Sequence, residues 1–508
     1  MVSDDALAAT RPEHPVASPL ADLAAWLATA AEGFRSRGDL DAVATGVSLS
    51  SQRIRPGDVY AALPGSRAHG IDFAPAALAA GAVAVLTDDA GAERAPDGAP
   101  VLVVDRPRSI LGRFAAHVYG DPASHLRMVG VTGTQGKTTT TRLAEGGLQQ
   151  AGVPAAAIGT VGTRVDGVEV KTSLTTPEAP DLHALFAMMR ERGVTACAME
   201  VSSHALVMGR VDGVVFDVAV FTNLGRDHLD FHADVDDYFA AKASLFTPER
   251  ARLGLVNVDD EHGRRLVDEA PIPVRTFSSS GREADWQVVD VRPSATGSRF
   301  VVIGPDGGAV EAGVPLPGEF NVTNALAAVA ACAEVGFEAA RVARGIMAGA
   351  GVPGRLERID AGQDFAVIVD YAHKPDAVEA AIATLRPLTS GRVIVVIGAG
   401  GDRDPGKRPI MGEIAARLSD VLVVTDDNPR GEDPAAIRQA ILSGAADGRA
   451  EVLEIGDRQH AIREAVRRAG PGDIVLVAGK GHETGQEVAD VVHPFDDRDV
   501  VREELATR

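Results

Sequence analysis

Cysteine, aromatic side chains, positive charge and long apolar runs are all scarce in this 508-residue chain. The two cysteines, Cys197 and Cys332, each lie in an apolar stretch, so we expect small buried residues rather than a disulfide or metal framework. Lys and Arg number 50 against 71 Asp and Glu, and the formal net charge of −21 repels nucleic acid and anionic membrane surfaces.

The chain also lacks targeting and membrane signals. No run of about 18 apolar residues is present, and the first residues, MVSDDALAATRPEHP, show neither the basic nor the apolar region of a signal peptide. We therefore expect a cytoplasmic protein with no membrane partner, and the acidic net charge predicts no nucleic-acid partner. We also expect a monomer.

What is present is typical of a globular protein: 45% of the residues are hydrophobic and 24% are charged. Short apolar strands alternate with helical stretches, which predicts an α/β fold with mostly parallel sheets. We divide the chain into a small α/β domain at 1–122, a central α/β domain at 123–352 and a third α/β domain at 353–508, separated at stretches that contain Gly and Pro. The first domain is expected to open with a helix over about 20–35.

The segment VGVTGTQGKTTTTRL at 129–143 carries the strongest chemical signal in the chain. An apolar strand leads into a turn containing Gly133 and Gly136, and a helix begins near Lys137. Backbone N–H groups of such a turn surround phosphate oxygens, the helix dipole adds positive potential, and Lys137 reaches the terminal phosphates. The hydroxyl of Thr138 can ligate Mg²⁺. The pattern T-G-T-x-G-K-T-T is shorter than the general phosphate-binding loop, and the alternative is a Gly-rich turn that binds no ligand.

Other polar residues follow or accompany the central strands. Glu200 ends a buried strand, where it could ligate Mg²⁺, although the serines after it, including Ser202, could equally mark a helix cap. His228 follows the next strand. Lys242 lies on an amphipathic helix, and the residues alone favour an exposed, solvated lysine there.

In the third domain, polar loops follow four predicted strands and should share one sheet edge. They read DYAHKPDA, GAGGDRDPGKR, TDDNPRGEDP and AGKGHETGQ. Arg403 and Arg430 lie in two of these turns, where each could bind a carboxylate bidentately or pair with the loop aspartates. Glu483 offers an acceptor for an ammonium group.

The order of these motifs along the chain resembles the Mur ligase family of peptidoglycan synthesis. The series reads TGTxGKTT, MEVSSH, TNLGRDHLDFH, AAK, GEFNVxN, GRLE, DYAHKPDA, DNPR and GKGHE. It covers about 49–487 and most resembles the branch that adds the third residue of the stem peptide. The resemblance implies a UDP-binding N-terminal domain, a central P-loop ATPase domain and a Rossmann-like C-terminal domain that binds the amino acid.

The resemblance implies an ATP-dependent amide ligase that phosphorylates a substrate carboxylate and lets an amine attack the acyl phosphate. It assigns ATP to Gly133, Thr134, Gln135, Gly136, Lys137, Thr138, Thr139, Asn321, Asn324, Arg355 and Asp370. It assigns Mg²⁺ to Thr138, Glu200, His228 and Lys242, the last as a carbamate. Lys137, Glu200, His228 and Lys242 are thereby the expected catalytic residues.

The implied substrates are UDP-N-acetylmuramoyl-L-alanyl-D-glutamate and a diamino acid. The nucleotide-linked substrate is assigned to Leu49, Ser51, Ser66, Arg67, Ala68, Thr175, Thr176, Ser202 and Arg210. The amino acid is assigned to Arg403, Asp427, Asn428, Pro429, Arg430, Gly479 and Glu483. An Arg at the fourth position of the D-N-P-R box resembles meso-diaminopimelate recognition, while L-lysine, ornithine, a sibling Mur or folylpolyglutamate-type ligase, and a P-loop protein without ligase activity remain alternatives.

Overall fold

The computed structural model describes residues 10–170, 172 and 174–508. By their contacts these residues form two compact units: one runs to Gln287 and includes Ile303–Gly308 and Leu326–Gly345, and the other comprises Val288–Val302, Ala309–Ala325 and Ile346–Arg508. The expected three-domain boundaries stay a prediction. No helix among the described residues has the length and apolar character needed to cross a bilayer.

Strands and helices alternate along the first unit. Its strands are β1 Ser18–Pro19, β2 Arg35–Arg37, β3 Val43–Ala44, β4 Gly46–Ser48, β5 Asp58–Ala61, β6 Ala84–Thr87, β7 Val101–Val103, β8 Arg127–Thr132, β9 Ala155–Gly159, β10 Gly162–Val165, β11 Val168–Val170, β12 Ala196–Glu200, β13 Phe216–Phe221, β14 Ala251–Asn257 and β15 Val274–Ser278. Its α-helices are Leu20–Ala30, Ala74–Ala79, Asp89–Arg94, Pro107–Val118, Lys137–Gln150, Ala179–Glu191, Ser203–Val207, Val235–Ala243 and Glu261–Glu269.

The remaining elements follow in chain order. The strands are β16 Trp286–Ser294, β17 Gly297–Ile303, β18 Ala309–Val314, β19 Glu357–Ile359, β20 Ala366–Asp370, β21 Val393–Ile397, β22 Val421–Val424, β23 Glu451–Glu454, β24 Ile474–Ala478, β25 Gly485–Val488 and β26 Val491–Pro494. The helices are Glu319–Glu334, Ala339–Ala348, Pro375–Leu385, Lys407–Leu418, Pro434–Ala445, Arg458–Arg468 and Asp497–Ala506.

The N-terminal part of the first unit is a five-stranded sheet in the order β2-β7-β6-β5-β4. The expected helix over 20–35 is wrong at its end, because the helix stops at Ala30. Leu27 is the last buried residue of the helix, and Gly33 takes a positive φ of 65°. Arg35–Arg37 then pairs with β7 as an antiparallel edge strand. Backbone pairing at the sheet edge thus overrides the helical pattern of the side chains.

The central sheet of the first unit runs in the order β11-β10-β9-β12-β8-β13-β14-β15. From β9 to β15 all neighbours are parallel, and β10 and β11 extend one edge as an antiparallel hairpin. Parallel pairing aligns the carboxyl ends of β8, β12 and β13, since Glu200 lies opposite Val131 and Phe221 opposite Thr132. The predicted phosphate-binding loop and the segments after Glu200 and Phe221 therefore leave the sheet at the same edge.

The second unit holds a six-stranded sheet in the order β19-β20-β24-β21-β22-β23. All its neighbours are parallel except β19 with β20, and apolar clusters cover both faces. The four polar loops predicted from the sequence follow β20, β21, β22 and β24, at one edge of this sheet. The predicted α/β class with mostly parallel sheets is confirmed, and both cysteines are buried as expected.

Candidate active site

The glycine-containing turn between β8 and the helix Lys137–Gln150 is shaped by two glycines with positive φ, 145° at Gly133 and 86° at Gly136. A Cβ atom on Gly133 would lie 2.0 Å from Oγ1 of Thr222, so the turn depends on glycine there. The ammonium group of Lys137 folds back onto the turn and donates to the carbonyl oxygens of Gly133 at 2.8 Å and Thr134 at 3.0 Å.

The segment after β13 holds this turn from the side. The backbone N–H of Thr134 donates to the carbonyl of Asn223 at 2.9 Å, and the N–H of Gln135 donates to Oδ1 of Asn223 at 2.9 Å. The Thr222 hydroxyl donates to the Gln135 carbonyl at 2.6 Å. Thr138 and Thr139, the next two predicted nucleotide residues after Lys137, are buried in the first turn of the helix. The loop is therefore held in shape by backbone and side-chain hydrogen bonds.

Lys242 is buried, with 1% of its surface exposed, so the solvated lysine favoured by the residues alone is wrong. Its Nζ donates to the carbonyl of Gly133 at 2.8 Å and lies 4.4 Å from the ring centroid of Tyr238. Burial lowers the pKa of Lys242 well below its ordinary value, the nearby Lys137 lowers this pKa further, and Asp227 raises it. A lysine with a lowered pKa has more of the neutral, nucleophilic amine at neutral pH.

Glu200 is also buried, at the end of β12. Its two carboxylate oxygens accept from Thr160, one from the backbone N–H at 2.7 Å and the other from the hydroxyl at 3.1 Å. A Cβ on Gly159 would come within 2.2 Å of Oε1, so the close approach of the carboxylate requires that glycine. Thr160 was not predicted as a site residue, since nothing in the sequence links it to a strand end about 40 residues away.

His228 lies in a group of aromatic rings beside this loop. It adopts a positive φ of 55°, its ring centroid is 4.9 Å from that of His204, and its backbone N–H donates to Oδ1 of Asp227 at 3.0 Å. His204 stacks on Phe231 at 3.9 Å. Burial and the neighbouring His232 lower the pKa of His204. His204 was not predicted from the sequence, although it belongs to the same M-E-V-S-S-H segment as Glu200.

Three of the residues predicted for the peptide substrate meet at the start of the helix Ala179–Glu191. The Thr176 hydroxyl donates to the Glu200 carbonyl at 2.9 Å and accepts from the Ser202 N–H at 3.3 Å. Arg210 donates from Nη1 to the Thr176 carbonyl at 3.4 Å. These contacts join Thr176, Ser202 and Arg210 into one network next to Glu200.

Glu178 and Arg108 are further members of that region that emerge only from the structure. Glu178 accepts from Nε of Arg210 at 2.9 Å and from Nη1 of Arg108 at 2.8 Å. Thr175, also predicted, shares a 3.1 Å hydrogen bond with the Thr160 hydroxyl. Glu178 therefore orients Arg210 by a contact between residues far apart in sequence.

The residues predicted for the uridine diphosphate lie in the N-terminal sheet region. Leu49 packs on its core, and Ser51 opens the 3₁₀ turn Ser51–Arg53. The residues 66–68 form the exposed tip of a turn closed by a bridge between Pro64 and His69.

Arg53, which follows the S-S-Q segment, donates to Asp181 at 2.6 and 3.3 Å. Asp181 lies in the helix Ala179–Glu191. Arg53 thus lies near the predicted uridine diphosphate residue Ser51, but its guanidinium is engaged with a protein carboxylate.

In the second unit, the predicted adenine residues Asn321 and Asn324 are both buried on the helix Glu319–Glu334. Nδ2 of Asn321 donates to the Pro317 carbonyl at 2.8 Å, and Nδ2 of Asn324 donates to Oδ1 of Asn321 at 3.3 Å. The two amides are one turn apart, as their i, i+3 spacing requires.

Arg355 lies just before β19, and Asp370 is the last residue of β20. The guanidinium of Arg355 stacks 4.8 Å from the ring centroid of Tyr371. Asp370 accepts from the backbone N–H of Leu356 at 2.7 Å and of Ala372 at 2.9 Å. Burial raises the pKa of Asp370, against the opposing effect of these hydrogen bonds and of Arg355.

The D-N-P-R box at Asp427–Arg430 follows β22 and faces the loop after β24. Nε of Arg430 donates to Oε2 of Glu487 at 3.0 Å and its Nη1 donates to the Gly401 carbonyl at 2.8 Å. Arg430 adopts a positive φ of 51°. Its guanidinium is therefore held on two sides by groups that the sequence did not single out.

The other predicted amino-acid residues lie in the loops after β21, β22 and β24. Asp427, Asn428 and Pro429 are buried, and a Cβ on Gly479 would come within 2.4 Å of Oδ2 of Asp427. Arg403 is exposed and donates to the carbonyl of its neighbour Asp402 at 3.0 Å. The structure therefore brings the D-N-P-R box and the G-K-G-H-E loop together, while Arg403 lies on the exposed side of the β21 loop.

Three family models match nearly consecutive parts of the chain. They are the Mur ligase family catalytic domain at 43–119, the Mur ligase middle domain at 131–332 and the Mur ligase glutamate ligase domain at 354–481. The UDP-N-acetylmuramoyl-L-alanyl-D-glutamate--2,6-diaminopimelate ligase of Streptomyces avermitilis is 54% identical over 501 residues, which cover 97% of this chain and 98% of that one. The chain belongs to the Mur ligase family.

Two more Mur ligases agree with this assignment. The Corynebacterium glutamicum enzyme of the same name is 52% identical over 476 residues, 91% of this chain and 92% of that one. A solved structure of a UDP-N-acetylmuramoyl-L-alanyl-D-glutamate--2,6-diaminopimelate ligase matches with a TM-score of 0.68 and 33% identity, over 92% of this chain and 96% of that one. Membership of this family confirms the predicted enzyme class, an amide ligase.

The donor set near the Mur ligase P-loop suits magnesium by its chemistry. Thr138 supplies a hydroxyl and Glu200 a carboxylate, which are oxygen ligands of the kind that Mg²⁺ prefers. Among residues 10–170, 172 and 174–508, no group of three or more His, Cys, Asp or Glu side chains forms a ready metal cluster. This is compatible with Mg²⁺, which takes one or two protein ligands together with phosphate oxygens and water.

Proposed function

We propose that this chain is the ATP-dependent ligase that joins meso-diaminopimelate to UDP-N-acetylmuramoyl-L-alanyl-D-glutamate in peptidoglycan precursor synthesis. The observation that carries the proposal is 54% identity over nearly the full length of a relative with that name. In this reaction the γ-phosphoryl group of ATP activates the substrate carboxylate as an acyl phosphate. The amine of the incoming amino acid then attacks the acyl carbon, and phosphate leaves.

Phosphoryl transfer of this kind depends on positioning and on charge stabilisation. The backbone of the turn around Gly133 and Gly136 and the helix N-terminus would receive the phosphates. Lys137, whose ammonium lies against the carbonyls of that same turn, is placed to neutralise charge on the transferred group. Asn321, Asn324, Arg355 and Asp370 are proposed to hold the rest of ATP.

Thr138 and Glu200 are the residues that would hold Mg²⁺, with His228 and a carbamate of Lys242 as the further proposed ligands. Mg²⁺ would supply charge neutralisation to the phosphate oxygens. The lowered pKa of Lys242 favours the neutral amine that carbon dioxide requires for carbamate formation. The carbamate would turn a buried cation into an anion with oxygen donors, which suits a magnesium site.

Arg430 is the proposed recognition residue for meso-diaminopimelate. This amino acid carries a second carboxylate that lysine lacks, and a guanidinium can bind it bidentately. Glu483 would accept an ammonium group of the same amino acid. A guanidinium positioned for a carboxylate disfavours analogues that leave it unpaired, so the same site would discriminate against lysine and ornithine. The use of ATP favours a cytoplasmic location, while the monomeric state and the absence of a nucleic-acid partner stay predictions from the sequence.

The test is ligation with separate acceptors. Purified protein receives ATP, Mg²⁺ and UDP-N-acetylmuramoyl-L-alanyl-D-glutamate together with meso-diaminopimelate, L-lysine or L-ornithine, and ADP and the tripeptide are quantified. We expect stoichiometric ADP and tripeptide with meso-diaminopimelate, and little product with the other two. Product with L-lysine alone would refute the amino-acid assignment but keep the ligase. No product with any acceptor would refute the proposed function, and a reaction with another acyl substrate would indicate a sibling ligase.

A further inference from the structure

A buried lysine, Lys480, links the D-N-P-R box to the loop after β24. None of its side-chain surface is exposed, whereas the side chain of Glu483 is 33% exposed. Its Nζ donates to Oδ1 of Asn428 at 2.9 Å and to Oε2 of Glu483 at 3.3 Å. Burying a lysine ammonium costs free energy unless polar or charged partners surround it. The buried position of Lys480 therefore suggests that its ammonium has a role in this network.

The network determines which way the Asn428 amide faces. Oδ1 of Asn428 accepts from Lys480 and also from the backbone N–H of Glu487 at 3.0 Å. Nδ2 of Asn428 donates to Oε2 of Glu483 at 2.8 Å. A flipped amide would turn its NH₂ group toward two donors and leave the ammonium without its amide acceptor. Lys480 therefore selects the amide orientation that supports Glu483.

The same contacts orient the Glu483 carboxylate. One oxygen, Oε2, accepts from both Asn428 and Lys480, and the backbone N–H of Glu483 donates to the Lys480 carbonyl at 3.0 Å. A carboxylate held through one oxygen keeps the acceptor capacity of the other for a ligand. The side chain of Glu483 is partly exposed, whereas that of Lys480 is fully buried. A ligand can therefore contact the glutamate but not the lysine.

We propose that Lys480 is a positioning residue for the amino-acid site, because it holds Asn428 and Glu483 in the arrangement that receives the ammonium group of the incoming amino acid. This inference rests on the proposed function, in which Glu483 accepts that group. Lys480 does not touch the substrate, and it acts through its two partners. Removal of the ammonium leaves Oδ1 of Asn428 with the Glu487 N–H as its remaining donor and the Glu483 carboxylate without one of its two donors.

The test is the substitution Lys480→Met, which keeps the length and the apolar stem of the side chain. Loss of a charge-assisted hydrogen bond to a buried group predicts a rise in the KM for meso-diaminopimelate of roughly 10- to 100-fold. The KM for ATP and for the UDP-linked substrate should stay within about twofold of wild type. Arg417→Met is the matched control, because this arginine pairs with Glu379 on the surface of the same unit and its loss should leave all three KM values unchanged.

Two further variants keep the test informative if Lys480→Met does not fold. Lys480→Gln retains a neutral donor, so its KM for meso-diaminopimelate should lie between those of wild type and Lys480→Met. In a double-mutant cycle, Lys480→Gln combined with Glu483→Gln should be little worse than Glu483→Gln alone, because the lysine acts through the glutamate.

The outcomes separate the two proposals. A wild-type enzyme that makes no product with meso-diaminopimelate refutes the proposed function. If the wild-type enzyme makes the product and the Lys480 variants have an unchanged KM for meso-diaminopimelate, the positioning role is refuted and the proposed function stands. Equal rises in all three KM values, or additive effects in the cycle, would indicate a purely structural lysine and would also overturn the inference.

Discussion

Glu145, on the helix that begins at the P-loop, should make the first unit less stable as the pH rises. Its side chain is 1% exposed, and within the described part of the chain neither carboxylate oxygen accepts a hydrogen bond. The nearest cation is Nη1 of Arg164 at 3.5 Å from Oε2. Burial therefore raises the pKa of Glu145 to about 7 from its ordinary 4.5, against the opposing effect of Arg164 and Arg142.

The sign and the size of the effect follow from linkage. The folded protein binds the Glu145 proton more tightly than the unfolded chain, so its stabilising effect is complete below pH 4.5 and is lost as the pH rises to about 7. At about 1.4 kcal/mol per pKa unit, this difference corresponds to about 3 kcal/mol. The glutamine of the variant Glu145→Gln cannot ionise, so it avoids this loss of stability. The difference in free energy of unfolding, variant minus wild type, should therefore be about 3 kcal/mol larger at pH 8 than at pH 4.5.

The assay is urea unfolding followed by tryptophan fluorescence between pH 4.5 and 8. Both tryptophans of the chain, Trp26 and Trp286, lie in the first unit, so the signal reports on that unit. Glu169→Gln serves as the control, because Glu169 pairs with Arg142 in the same region but is 59% exposed. Its effect should stay within about 1 kcal/mol at every pH. A difference between Glu145→Gln and wild type that does not change with pH would refute the reasoning.

Three other substitutions test separate parts of the molecule. Gly133→Ala should weaken ATP binding, measured by calorimetry, about tenfold or more, because the new Cβ would lie 2.0 Å from Oγ1 of Thr222 and the φ of this position is 145°. An unchanged affinity for ATP would contradict the role of the turn. Arg430→Ala should raise the KM for meso-diaminopimelate far more than the KM for ATP in steady-state kinetics, and equal effects on both would count against the assigned role. Arg458→Met breaks an ion pair with Asp497 in which neither side chain is exposed, so chemical unfolding should show a loss of about 3–5 kcal/mol, and a loss below about 1 kcal/mol would show that the pair is dispensable.

The parallel sheets were predictable because their strands are continuous apolar runs that end at a glycine or at a polar residue such as Asp. The strand over 474–478 and the one over 393–397 are buried at every position, and such runs predict strands with both faces covered. The hairpin of β10 and β11 carried its own signal, since Asp166 and Gly167 both take positive φ between two short strands. That dipeptide, flanked by alternating valines, could have been identified from the sequence.

The parts of the site that the sequence did not reveal depend on contacts between distant residues. The burial of Lys242 follows from its hydrogen bond to Gly133, which lies 109 residues earlier in the chain. Glu178 meets Arg210 and Arg108 over separations of 32 and 70 residues. Local periodicity carries no information on such pairs. The amphipathic pattern of its helix therefore predicts a solvated Lys242, although the tertiary structure buries this side chain.

The β10–β11 hairpin also determines how the large sheet of the first unit ends. An exposed edge strand offers unpaired backbone N–H and carbonyl groups to any other extended chain, and so invites aggregation. Here the outermost strand, β11, has only three residues, Val168–Val170, and its central Glu169 carries a charged, mostly exposed side chain. A strand this short and this charged is a poor template for intermolecular pairing, so the hairpin protects a sheet of apolar strands from growing beyond its own molecule.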